Sequence, residues 1–263
     1  MLLKLIIEKV RKIYAYRRSL WNISAKQFKA KYAGSVLGFF WVIINPLLMM
    51  LVITFVFTAV FKTQVKDFGL FVLAGIMPWM FFSGALSEAA PSILAQKSVL
   101  HQFSLPKEIL PLSSVLAYFM NFLMSWCIIY PIFALHNPRI LLLAPGLLVL
   151  FLLTYFFTCG IALLFSVVNL IFRDLEHLMG TLLMFWFWVT PVFYSIEMIP
   201  AEFKWVFNFN PVSPFILGYR DLLFWAKMPG WEIFLQIAVW SIFSFFIGLL
   251  VSVRMEASAL KRI

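Results

Sequence analysis

Six stretches of this chain run for about 20 residues or more with no aspartate, glutamate, lysine or arginine, a pattern that points to lipid as the solvent. They cover residues 32–61, 68–87, 109–138, 140–172, 178–196 and 233–253, the third containing His136. A hydrocarbon layer of about 30 Å takes roughly 20 residues of helix to cross. Lipid offers no partner to a free N–H or C=O, so each crossing segment has to pair its own backbone, which a helix does. The expected fold is an all-α membrane protein with six transmembrane helices. A 63% hydrophobic content and a mean hydropathy of +0.97 agree with it. A seventh uncharged run, 205–219, is shorter and carries Pro211 and Pro214. Short re-entrant or gate helices on the outer surface, between spans five and six, are expected there in place of another crossing.

The net charge of +10 is unevenly spread: nine of the 21 lysines and arginines fall in residues 1–31. That is a juxtamembrane cluster, suited to an anionic lipid surface, and nucleic acid is not the expected partner. Six spans leave both termini on one side. Placing them in the cytoplasm gives fifteen basic residues inside against six outside, the usual bias. Residues 1–31 alternate Leu3, Ile6, Val10 and Ile13 with Lys4, Lys9, Arg11 and Lys12 at helical spacing, which predicts an amphipathic helix lying in the interface. The expected organisation is this helix, a transmembrane domain over 32–253 and a cytoplasmic tail over 254–263. No removable leader is expected, because no short apolar core with a small-residue cleavage site opens the sequence.

Several chemistries find no support. There is no GxxxxGK[ST] phosphate loop, so no ATPase site of its own is expected, and neither HExxH, CxxC nor GxSxG occurs. His101, His136 and His177 are scattered and predict no metal site, and Cys127 and Cys159 sit in apolar runs as small hydrophobes. If the chain transports, something else supplies the work.

Lys29-Ala30-Lys31-Tyr32-Ala33-Gly34-Ser35-Val36-Leu37-Gly38, followed by Asn45-Pro46, resembles the start of membrane subunits of ABC-2 type polysaccharide exporters. Gly75 to Phe82, Leu105 to Leu112, Phe172-Arg173-Asp174, Thr190 to Tyr194, Ile199-Pro200, Asn210-Pro211 and Tyr219-Arg220-Asp221 continue the resemblance in order. One departure stands out: Lys31 occupies the place where the family often has arginine, a point charge in place of a forked donor.

The resemblance implies a homodimeric channel in the bacterial inner membrane. Two copies of a separate ATP-binding subunit, which holds ATP and Mg, would drive export of an undecaprenyl-diphosphate-linked polysaccharide, O-antigen foremost. It implies that Lys29, Lys31 and Tyr32 meet the lipid diphosphate or head groups. It also implies that a cytoplasmic segment carrying Gln96, Lys97 and His101, aided by Arg173 and Asp174, couples to the ATPase. From the residues themselves, Gly34 and Gly38 form a small-xxx-small pair for helix packing. Aromatic faces suit the C–H faces of sugars, and Trp79, Phe81, Phe82, Trp186, Trp188, Phe193 and Tyr194, placed near the outer ends of spans two and five, are candidates for a substrate path. An ordinary interfacial aromatic belt is the alternative. A permease for a small hydrophobic compound, or a membrane-embedded transferase of polyprenyl-linked sugars, are the competing functions.

Overall fold

The computed structural model describes residues 2–98, 100 and 105–255, and these contain helices and connecting turns but no strand. In chain order the helices are α1 (Leu2–Ala15), α2 (Arg17–Tyr32), α3 (Trp41–Phe55), α4 (Phe68–Ala89), α5 (Ser92–Ala95), α6 (Ile109–His136), α7 (Ala144–Ile171), α8 (Leu175–Val189), α9 (Lys204–Phe209), α10 (Ser213–Leu223) and α11 (Trp231–Arg254). Helical turns at both ends lengthen α3 to Gly38–Val60 and one at its start lengthens α7 to Pro138–Ile171, so that α3, α4, α6, α7 and α11 are each long and apolar enough to cross a membrane. The expected fifth span is shorter: α8 has 15 residues, about 22 Å of helix, and stops at Val189 where the expectation ran to residue 196. Pro191 explains the stop, because the residue before a proline is pushed out of the α region, and Thr190 is extended (φ −104°, ψ 135°).

The helices differ in their surroundings. In α4, 72% of the membrane-length window is buried in the protein, against 11% in α3, so span two is the central post and span one a peripheral helix with Leu48, Leu51, Val52 and Phe55 facing outward. Spans four and six meet backbone to backbone. A Cβ built on Gly160 would stand 2.2 Å from the Ser244 carbonyl carbon, and one on Gly248 2.3 Å from the Gly160 oxygen. Ser241 and Ser244 then donate across the seam to the carbonyls of Leu153 (2.9 Å) and Phe157 (3.3 Å). Close approach through small residues with hydroxyl bridges is how apolar helices hold together without a hydrophobic driving force.

The small-residue pair singled out from sequence serves another purpose. Gly34 precedes span one and Gly38 opens its first turn ahead of α3, both with positive φ (+77° and +47°), and nothing lies within 4 Å of a Cβ at either. They shape the turn from α2 into span one, where left-handed backbone favours glycine, and they do not share a helix face. Span one accordingly begins at Gly38, after α2 has ended at Tyr32.

The amphipathic head forms two helices parted at Tyr16. Among the described side chains of α1, Ile6 and Lys9 are buried, while Leu5, Ile7, Val10 and Tyr14 remain exposed. Turning Lys9 inward departs from its expected place in the basic surface cluster. Its ammonium lies 3.0 Å from Glu108 at the foot of α6.

Candidate functional site

Two regions gather polar or aromatic groups, one at the end of the bundle that holds α1 and α2, the other at the far end. At the first, α2, α3, α4 and α6 enclose a cavity of about 320 Å³. Lys31 and Tyr32, the last residues of α2, reach into it beside Asn45, Tyr118, Asn121 and Ser125. Tyr118, Asn121 and Ser125 are three and four residues apart, so one face of α6 presents all three. The Lys31 ammonium lies 3.4 Å from the centre of the Tyr118 ring, a cation–π contact. The Tyr32 hydroxyl donates to Asn121 Oδ1, and Ser125 Oγ donates to the Val42 carbonyl at 3.1 Å. Burial lowers the Lys31 pKa below the ordinary lysine value, with Glu88 opposing the shift. Lys29 points elsewhere: it lines a shallow basic groove on α2 with Asn22 and Lys26. Lys31 and Tyr32 stand out from sequence as head-group contacts and Asn45 only as part of an Asn-Pro pair, whereas Tyr118, Asn121 and Ser125 carry no motif. Their signal was available as polar groups at helical spacing inside uncharged runs.

At the far end, non-helical backbone after α8 is buried, and side chains of the following segment supply its hydrogen bonds. Asn210 donates to the Val189 carbonyl (3.1 Å) and to Thr190 Oγ1 (2.9 Å), while its own carbonyl accepts from Trp186 Nε1 (3.0 Å) and the Val212 amide (3.0 Å). Arg220, 2% exposed, donates from its two terminal nitrogens to the carbonyls of Val192 (2.6 Å) and Tyr194 (2.9 Å), with Phe71 stacked 3.7 Å beneath. Irregular backbone survives at membrane depth only when it is satisfied in this way. Arg220, one of the six basic residues that the predicted topology puts outside, is an interior group. Gly75 permits the arrangement, since a Cβ there would fall 2.5 Å from the Val192 oxygen. The segment 204–223 is folded as short helices, and α10 is buried against α4, α7 and α11.

The structure separates the seven aromatic candidates. Trp79, Phe81, Phe82 and Phe193 are buried in the protein interior. Phe82 stacks on Phe157 (5.5 Å) and meets Trp186 edge-on (5.2 Å), and Phe81 stacks on Phe122 (5.1 Å). Trp79, Phe81 and Phe82 also lie beyond the middle of α4, roughly 17 Å or more from its Phe68 end, so they do not reach the far end of the bundle where the sequence expectation placed them. Trp188 (59% exposed) and Tyr194 line a groove of about 570 Å³ with Phe57, Met198, Phe203 and Phe207. Trp186 borders a second groove, of about 340 Å³, with Phe185, Trp205 and Phe209.

Of the expected coupling residues, Gln96 and Lys97 follow directly on α5, Lys97 being exposed. Ile93 and Leu94 beside them, with Leu100, pack on Leu170 at the foot of α7. Arg173 and Asp174 are exposed in the turn just beyond that foot. His101 lies outside the described residues.

Residues 18–224 match the family described as ABC-2 type transporter. An O-antigen export system permease protein of Klebsiella pneumoniae is 32% identical over 201 residues, 76% of this chain and 78% of the relative. One of Myxococcus xanthus is 30% identical over 241 residues, 90% of this chain and 92% of the relative. A polysialic acid transport protein of Escherichia coli is 23% identical over 220 residues, 78% of this chain and 80% of the relative. With the family matched over most of its length and relatives of this similarity covering three quarters of it or more, this chain belongs to the ABC-2 type transporter family.

Proposed function

We propose that this chain is the membrane permease of an exporter that moves a polyprenyl-diphosphate-linked polysaccharide, O-antigen foremost, out across the bacterial inner membrane. Two copies of the chain would form the channel, and two copies of a separate ATP-binding protein, docked on 92–107 and the 173–174 turn, would drive it. The end bearing α1 and α2 is then cytoplasmic and the far end periplasmic. The reading is carried by the placement of a cationic, hydroxyl-lined cavity at one end of the same chain that presents an open aromatic groove at the other. A diphosphate head suits Lys31, Tyr32 and Asn45, since ammonium, O–H and amide N–H groups donate to phosphate oxygens. Sugar rings suit Trp188 and Tyr194, whose faces offer apolar contact without a fixed hydrogen-bond register. Lys29, on its separate groove, fits surface lipid better than the cavity's occupant. Of the aromatics, Trp188 and Tyr194 are the ones proposed as substrate path within one protomer, with Trp186 at its border.

The test is deletion of the gene and complementation. Loss of surface polysaccharide, with lipid-linked chains accumulating inside the cell and wild-type complementation restoring export, is the expected result. Surface polysaccharide at normal level in the deletion strain would refute it.

A further inference from the structure

A lysine and a glutamate buried together beneath a transmembrane bundle need a reason. Lys9 of α1 is 6% exposed and Glu108 1%, and 3.0 Å separates Nζ from Oε1. Ser252, fully buried near the end of α11, donates to the same carboxylate oxygen at 2.5 Å. Stability alone is a weak explanation, because replacing a buried ion pair with well-packed apolar residues is often neutral or stabilising. What the pair does supply is register. Apolar surfaces slide over one another, whereas a charged hydrogen-bonded pair fixes which residues meet.

The place of the junction gives that register a use. Glu108 stands at the residue before α6, its side chain turned to Lys9 and Ser252, and directly follows 92–107, the segment proposed to receive the ATP-binding partner. Its α5 part is already seated on the foot of α7 through Ile93 and Leu170. On the other side of the junction, Ile6 and Lys9 are the buried residues of α1 among its described side chains and Ile13 packs beside them, so Lys9 is the one polar tie between that helix and the bundle shown at this junction. Three elements distant in sequence, the interface helix, the start of α6 and the last span, therefore meet at one carboxylate.

We propose that Lys9, Glu108 and Ser252 form a positioning lock that makes α1, the foot of α6 and the end of α11 move together when the ATP-binding partner displaces residues 105–107, which lead directly into α6. The inference rests on the exporter reading for the identity of the partner. Within it, ATP hydrolysis is productive only while the lock is closed. Opening it lets the segment move while α1 and α11 stay behind, so that hydrolysis continues and transport does not follow.

The test uses the full-length chain reconstituted in vesicles with its ATP-binding partner, reading ATP hydrolysed per polysaccharide chain translocated. Lys9→Met is expected to raise that ratio about fivefold or more, the lower range of a coupling between sites, at unchanged hydrolysis rate. Ser252→Ala, which removes one hydrogen bond and no charge, is expected to raise it about twofold, the lower end of what one hydrogen bond contributes. Lys9→Glu combined with Glu108→Lys restores an opposite pair in the same place and is expected to recover most of the coupling. A wild-type ratio in both Lys9→Met and Ser252→Ala overturns the lock. So does a double variant that reaches the normal membrane level yet stays as uncoupled as Lys9→Met. If Lys9→Met does not accumulate, Ser252→Ala and the double variant decide. A second readout needs no cargo: spin labels at Arg11 and Arg254, both exposed, should shift together on ATP addition in the wild type and separately in Ser252→Ala. Should the wild type move no polysaccharide, the exporter reading fails on its own, and labels that move independently in the wild type refute the lock.

Discussion

Replacing Arg220 tests whether the far end is held together by one buried side chain. Arg220→Met keeps most of the volume over Phe71 but withdraws both donors, leaving the carbonyls of Val192 and Tyr194 buried and unpaired. At about 1–3 kcal/mol for each orphaned group, the loss is about 2–6 kcal/mol, partly recoverable by local movement toward water. Arg220→Lys keeps a charge but reaches one carbonyl where the fork reaches two, so roughly half of that loss is expected. Because the released carbonyls lie on either side of Phe193, the segment carrying Tyr194 should loosen before the bundle does. Thermal unfolding in lipid nanodiscs measures the first effect, and maleimide labelling of a cysteine at Tyr194 the second. Met should melt below Lys and Lys below wild type, with labelling rates in the reverse order. A Met variant that melts and labels like wild type would refute the pinning role.

Three further outcomes follow from the same contacts. Gly160→Val forces spans four and six apart and breaks the Ser241 and Ser244 bridges; overpacking of this kind costs about 1–3 kcal/mol, read as a lower melting temperature, whereas Gly180→Val, with nothing within 4 Å, should be near neutral in packing. Lys31→Ala should cut export per molecule without lowering membrane level. Because burial depresses its pKa, Lys31 is uncharged in a window just below the ordinary lysine value; folding stability therefore rises with pH through that window, while affinity for an anionic head group falls, and phosphate-lipid binding against pH checks the sign. Lys97→Glu, on an exposed position beside α5, should weaken co-purification with the ATP-binding partner while leaving the monomer's melting unchanged.

Much of the membrane architecture was written in the sequence because lipid imposes a length and forbids unpaired charge. Five of six runs became long helices, and the prolines at 211 and 214 correctly announced short helices in place of a crossing. What escaped was determined by partners far away in the chain. Arg220 reads as an external charge until the Val192 and Tyr194 carbonyls are seen to face it, and Lys9 reads as surface until Glu108 does. The glycine pair in 34–38 and the Ser244 and Gly248 pair share one spacing, yet only the second lies within a helix, with Gly160 opposite. A spacing rule has no access to that difference. Nor does aromatic content distinguish Phe82, which fills the interior, from Trp188, which faces a groove.

The most direct test of the central claim is ATP-dependent uptake of lipid-linked polysaccharide into inverted inner-membrane vesicles containing this chain and its ATP-binding partner. Polysaccharide should become protected from added glycosidase only when ATP, the partner and the wild-type chain are all present, and Lys31→Ala should reduce that protection. Protection that is equal without the chain, or without ATP, would contradict the account.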